Sequence, residues 1–104
     1  MNISLDYDDT FTRDPDFWLK FVLMCRQHGH RIYCVTARDI NGSKEVFHEL
    51  GKYIGEENCF FTNMKSKRSF MWRQGIIIDV WIDDNPGAIT NGVKDDVENS
   101  GFIE

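Results

Sequence analysis

Leu5-Asp6-Tyr7-Asp8-Asp9-Thr10 is the stretch that decides the fold. It continues Asn2–Leu5, a short apolar-leaning run that predicts a strand, and it sets acidic and hydroxyl side chains directly after the strand's end. Outward from there, Asp14-Pro15 supplies a helix start, because an Asp side chain caps free N–H groups and Pro is pre-set for the first helical position. Phe17, Phe21, Met24, Cys25 and His28 recur at three- and four-residue spacing, and Gly29 stands where a helix stops. Arg31–Thr36 is β-branched and aromatic, too short for a helix, and predicts a buried strand. Ser43 is expected to cap a second helix with Val46, Phe47, Leu50, Tyr53 and Ile54 on one face and Gly55 as its stop. Residues 59–62 read as a third strand, and Ser66 or Ser69 opens a short third helix ending near Gly75. Val80–Ile82 is the fourth strand, terminated by Asp83-Asp84-Asn85-Pro86. A helical turn over residues 88–92 and a last strand near Phe102 complete the pattern.

Strands alternating with helices imply βαβ units, a parallel sheet and right-handed crossovers. The expected architecture is α/β, a three-layer α/β/α Rossmann-like fold with a mostly parallel sheet of about four or five strands, in one domain. In such sheets ligands bind beyond the carboxyl ends of the strands. Asp6, Asp8 and Thr10 follow the first strand, Thr36 ends the second, and Asp83 and Asp84 follow the fourth, so these polar groups converge on one edge.

The chain has 104 residues, room for one domain of the usual roughly 100 to 150 residues. Lys+Arg number 12 against 17 Asp+Glu, a net charge of -5, which argues against a general nucleic-acid-binding surface. Cys25, Cys34 and Cys59 form no Cys-x-x-Cys pair and read as buried free thiols in a reducing compartment. No apolar run of about 18 residues predicts a membrane span. Asp6, Asp8 and Asp9 stand where a signal peptide would be basic and then apolar. The expected location is therefore the cytoplasm, the host's if the protein is viral.

Asp6 and Asp8, with Asp83 and Asp84 alongside, form an oxygen-only cluster whose repulsion calls for a cation, and Mg²⁺ suits it because it takes one or two carboxylates, a phosphate oxygen and water. Asp6, exposed at a strand end, is a candidate nucleophile toward phosphorus, since an aspartyl-phosphate divides one slow hydrolysis into two easier steps. Asp8 is placed to protonate the leaving oxygen and later to activate water. Thr36, the N–H groups that follow it at Ala37, the N–H groups through Asp9, and Lys67 would cradle the phosphoryl charge.

These motifs resemble the haloacid-dehalogenase-like hydrolases. Leu5-Asp6-Tyr7-Asp8-Asp9-Thr10 is similar to their signature of an apolar strand followed by Asp-x-Asp-x-Thr/Val. Val35-Thr36 resembles the second motif, Lys67 the third, and Trp81-Ile82-Asp83-Asp84 the paired-acid fourth, all in the family's order. The resemblance implies that Asp6 is the nucleophile and a Mg²⁺ ligand, that Asp8 is the acid/base with its carbonyl on the metal, that Asp84 is an inner-sphere ligand, and that Asp83 holds metal-bound water. Lys65 competes with Lys67 for the third role, and Lys67 is preferred because a full helix then separates it from Gly75. Arg38 and Thr10 are candidate substrate contacts.

Only residues 11–14 and 40–44 are available where larger members carry a cap, so the resemblance is to compact capless phosphatases of bacteria and their viruses. It implies an open cleft for a small phosphorylated substrate, with a nucleotide or nucleic-acid end preferred over a sugar phosphate, and room for a partner copy to lend a lid. The alternative is a phosphate-ligand or partner-protein binding module on the same fold with little or no turnover. His28, His30 and His48 lack metal spacing and are expected at the surface. Asp39 is expected to serve a turn, and Trp18, Phe21, Phe47, Trp72 and Trp81 to belong to the core.

Overall fold

Alternation of side chains along the strands decides which layer each residue joins. In the computed structural model, which describes residues 1–91, the strands β1 (Asn2–Leu5), β2 (Arg31–Thr36), β3 (Cys59–Phe61) and β4 (Val80–Ile82) form one sheet in the order β3-β2-β1-β4. Every pairing is parallel, with Leu5 opposite both Cys34 and Ile82 and Thr36 opposite Phe61. Ile3, Leu5, Ile32 and Cys34 pack on one face with Val22 and Cys25 of α1 (Pro15–Gln27) and with Val46, Leu50 and Ile54 of α2 (residues 43–54). Tyr33 and Val35, one residue out of phase, pack on the other face with Met71 of α3 (Lys67–Arg73) and Ile78. The molecule is therefore an α/β fold with helices on both faces of an all-parallel sheet, in keeping with a Rossmann-like architecture.

The placement of the helices follows from the strand order. The connections β1–α1–β2 and β2–α2–β3 step in one direction and put their helices on one face. The connection through α3 steps back across β1 to β4, and its helix lies on the opposite face. A constant right-handed crossover requires that exchange of faces when the direction reverses. The reversal leaves a crevice at the carboxyl ends of β1 and β4, where Asp6 and Asp83-Asp84 begin.

The helix signals hold at α1 and α3. Asp14 accepts the Phe17 N–H at 3.3 Å with Pro15 at the first helical position, and Ser66, not Ser69, caps α3 by accepting the Ser69 N–H. Ser43 makes no cap hydrogen bond. It is the first residue of α2, and the preceding turn is capped by Asp39, whose carboxylate accepts the Asn41 N–H at 3.0 Å.

Helix α2 comprises Ser43–Val46, a π turn at Phe47–Gly51 and Lys52–Ile54. A strict four-residue repeat drifts around a straight helix of about 3.6 residues per turn. The wider π turn absorbs the drift and keeps Val46, Leu50 and Ile54 on the sheet. Gly55 ends the helix at φ 97°, where an added Cβ would come within 2.7 Å of the Glu57 carboxylate. The turn expected over residues 88–92 appears as α4 (Gly87–Thr90); the strand expected near Phe102 lies outside the described residues.

Four apolar side chains expected in the core are exposed: Phe17, Met24, Tyr53 and Trp72. Helix α1 carries more than one apolar stripe, and the sheet accepts the one through Trp18, Phe21, Val22 and Cys25. In the short α3, Phe70 and Met71 face the sheet, which turns Trp72 outward. Cys25, Cys34 and Cys59 are buried free thiols, and no described helix is long and apolar enough to cross a membrane. Because Leu50 is fully buried and Leu23 is 59% exposed, Leu50→Ala is expected to lower unfolding free energy by about 2–5 kcal/mol and Leu23→Ala by less than about 0.5 kcal/mol. Urea denaturation of the two variants checks this, and equal losses would mean that α2 does not pack as described.

Candidate active site

Asp6 is the first residue past β1. Its N–H still donates to the Ile82 carbonyl at 3.0 Å, which prolongs the β1–β4 ladder to the crevice. The alternation that sends Leu5 toward α1 sends Asp6 toward α3, and the head of α3 carries Lys67. The Lys67 ammonium donates to Asp6 Oδ1 at 2.8 Å and to Asp83 Oδ2 at 2.5 Å. Asp6 is 5% and Lys67 2% exposed, and the Asp83 side chain is 3% exposed, so a cation and two carboxylates sit together out of water. Lys65 lies in the turn before α3, and Lys67 is the lysine that reaches Asp6.

On the other side of Asp6 the Thr10 hydroxyl faces Asp6 Oδ2 at 3.1 Å and Asp84 Oδ1 at 3.3 Å, while accepting the Asp84 N–H at 3.2 Å. A hydroxyl carries one hydrogen, so these two carboxylate oxygens compete for it. Thr10 thereby appears inside the acidic group rather than at its rim. Asp6, Asp83 and Asp84 each bring a carboxylate oxygen within 4.8 Å of the others. Three carboxylates and one ammonium leave a double negative charge, and hard oxygen donors at this spacing suit a divalent cation.

Burial pushes the Asp6 carboxyl up to about 6, against the pull of Lys67, and the neighbouring Asp83 and Asp84 raise it further. Burial alone would lower the Lys67 ammonium, but Asp6 and Asp83 hold it above its usual value.

Asp8 is not part of the converging group. Its carboxylate turns to Arg38, whose Nε donates to Oδ2 and Nη2 to Oδ1, both at 2.8 Å. The hydrogen bonds that Arg38 donates to Asp8 and Glu45 raise its guanidinium above the usual value. Thr36, buried at the end of β2, accepts the Arg38 N–H at 3.3 Å on its hydroxyl, and its carbonyl accepts the Thr62 N–H. The Ala37 carbonyl accepts the Met64 N–H at 2.9 Å. Asp9, at φ 62°, directs its N–H to Thr12 Oγ1 at 2.9 Å, so that donor is engaged within the turn. No protein-family model, curated protein or solved structure matches the chain.

Glu45 and Glu49 carried no signal in the sequence. Glu45 receives Arg38 Nη1 at 2.8 Å and Glu49 the Tyr7 hydroxyl at 2.9 Å, and both depend on how α2 lies over the first loop. Thr62 is also new, with a buried hydroxyl that has no partner within the described residues.

Two measurements test the electrostatics. Asp6 keeps its proton in the folded chain to about pH 6, whereas the unfolded carboxyl releases it near pH 4. As pH rises through that window the unfolded state ionises first, so the Asp6 contribution to stability falls. In chelator-treated protein, wild type is expected to lose stability relative to Asp6→Asn between about pH 4 and 6; a flat difference would show that Asp6 is not buried as described. Lys67→Met strands Asp6 and Asp83 and is expected to cost about 3–5 kcal/mol at pH 7, with a smaller loss at pH 4, both read from thermal or urea unfolding.

Proposed function

We propose that the chain is a Mg²⁺-dependent phosphohydrolase that acts on phosphomonoesters through an aspartyl-phosphate on Asp6. The observation that carries this reading is the buried Asp6–Lys67–Asp83 group, with Asp84 across Thr10, at the crevice where the strand order reverses. A carboxylate is a useful nucleophile toward phosphorus only if a fixed positive charge offsets its repulsion of the incoming phosphate. Lys67 Nζ, 2.8 Å from Asp6, is within reach of both the nucleophile and an oxygen of the arriving phosphoryl group. The resemblance to haloacid-dehalogenase-like hydrolases of the compact capless type supports the same roles.

The donor chemistry of Asp6, Asp83 and Asp84 fits Mg²⁺. Asp6 and Asp84 would hold it, with the Asp8 carbonyl, and Asp83 would orient bound water. When bound, the ion neutralises phosphate charge and fixes the phosphoryl oxygens. The chain's own residues do the rest. Asp6 attacks and later leaves, Lys67 steadies the negative oxygens, and Thr10 keeps Asp6 and Asp84 apart yet in register. The Thr36 hydroxyl and the Ala37 N–H lie on the neighbouring strand end as further phosphate donors. A nucleotide or nucleic-acid end is the favoured substrate class, because among the described residues the segments at 11–14 and 40–44 are too short to form a cap.

One observation favours the alternative of a phosphate-binding module with little turnover: both Asp8 oxygens are already engaged by Arg38. A panel of phosphomonoesters assayed with Mg²⁺, with EDTA and with Asp6→Asn separates the two. Metal-dependent phosphate release is expected, abolished by EDTA and reduced at least about a thousandfold in Asp6→Asn. Release that persists in Asp6→Asn, or no release from any substrate, overturns the proposal.

A further inference from the structure

Resting on the phosphohydrolase reading, Lys67 serves the reacting phosphoryl group and Lys65, two residues earlier, is left without a task. Its ammonium has no hydrogen bond or ion pair among the described residues, although Lys65 is partly buried and the chain carries a net charge of -5. Such a cation beside the crevice is available to an anion that arrives from outside. The loop that carries it is fixed. The Asn63 N–H donates to the Arg38 carbonyl at 3.1 Å, the Met64 N–H to the Ala37 carbonyl at 2.9 Å and the Lys65 N–H to the Thr62 carbonyl at 3.1 Å. These bonds hold Asn63 and Met64 at φ 53° and 66°, a left-handed conformation that is kept only where the surroundings over-determine it, as at ligand clamps. On the other side Ser66 caps α3 and donates its hydroxyl to the Ile89 carbonyl at 3.0 Å. Lys65 therefore stands on a braced turn, between the strand end that bears Thr36 and the helix head that bears Lys67. Its Cα is at most about 7 Å from that of Lys67, the span of two extended residues, and a lysine's flexible four-carbon stem covers the ground beside it.

We infer that Lys65 holds the first phosphodiester beyond the scissile phosphate, so that the substrate is the phosphorylated end of an oligonucleotide rather than a mononucleotide. Two anions one nucleotide apart then meet two lysines two residues apart. A nucleoside monophosphate or a sugar monophosphate carries a single phosphate, which Asp6 and Lys67 engage, and offers nothing to Lys65. The net charge of -5 repels the rest of a long strand and confines the contact to its end.

The test compares kcat/KM for trithymidylate carrying one terminal phosphate with kcat/KM for thymidine monophosphate in the Mg²⁺-loaded chain, for the 5′-phosphate pair and the 3′-phosphate pair separately. The oligonucleotide is expected to be favoured by about tenfold or more at one of the two ends, the order of one charge-assisted contact. Lys65→Gln should cut that preference by about tenfold, and Lys65→Arg should keep most of it. Lys20→Gln, which removes an exposed cation from α1, should leave it within about twofold. In wild type, log kcat/KM for the oligonucleotide should fall with log salt more steeply than for the monophosphate by about 0.7, the slope of one single-strand phosphate contact; this measurement serves if Lys65→Gln does not fold. Equal salt slopes, no preference, or a preference that Lys65→Gln leaves intact or Lys20→Gln lowers as much, overturn the Lys65 contact and leave the phosphohydrolase reading standing. Absence of Mg²⁺-dependent release from every phosphomonoester overturns that reading, and the contact with it.

Discussion

The ammonium of Lys67 between the carboxylates of Asp6 and Asp83 is the interaction on which the arrangement depends. It draws together the end of β1, the head of α3 and the end of β4, segments from the beginning, middle and far part of the described chain. It can form only if α3 lies on the face opposite α1 and α2 and if β4 returns beside β1, so the reversed crossover and the buried charges presuppose one another. Such a group is not a source of stability. Apolar side chains of similar volume would often hold the same space as well or better, because three charges lose their hydration. The fold carries them at a cost, which is the pattern expected where charge serves chemistry.

Two aspartates only two positions apart meet opposite environments. Asp6 is buried, shares one hydroxyl hydrogen with Asp84 and is pushed up by desolvation. The Asp8 side chain is about half exposed, at 48%, and is forked by a guanidinium. The difference comes from backbone geometry. Asp6 still obeys the alternation of β1, while Asp8 belongs to a turn that runs into the left-handed Asp9 and is free to reach the loop after β2. Neighbouring carboxyl groups set in contrasting surroundings are the arrangement by which enzymes divide roles between chemically equal side chains.

The α/β class, the four described strands and the caps at Asp14 and Ser66 were legible because each rests on local chemistry or on a period of two or about four residues. The convergence of Asp6, Lys67, Asp83 and Asp84 was legible for a further reason: parallel strands send their carboxyl ends to one edge, so chain order alone brings those positions near each other. The Arg38–Asp8–Glu45 network was not, because no spacing in the sequence says which way a loop arginine turns. Phe17, Met24 and Trp72 escaped because an aromatic-rich helix offers several stripes, and only the finished sheet selects among them. The π turn in α2 had no signature either; it follows from matching Val46, Leu50 and Ile54 to a surface that the helix's own sequence does not describe.

The pairing of β1 with β4 also has a bearing on how the molecule comes into being. Ile3 lies opposite Val80, and Asn2 hydrogen-bonds with Asp79 across 77 positions of sequence. The strand made first is therefore flanked on one side by the strand made last among those described. Closing so long a loop costs entropy before any contact offsets it, and parallel pairings of this kind form slowly. A growing chain can assemble β1, α1, β2, α2 and β3 as they emerge, yet Asp6 and Lys67 remain without Asp83 until β4 arrives. The acidic crevice is thus completed only with the last of the described strands, and a chain halted before residue 80 would have most of the described sheet and none of the completed site.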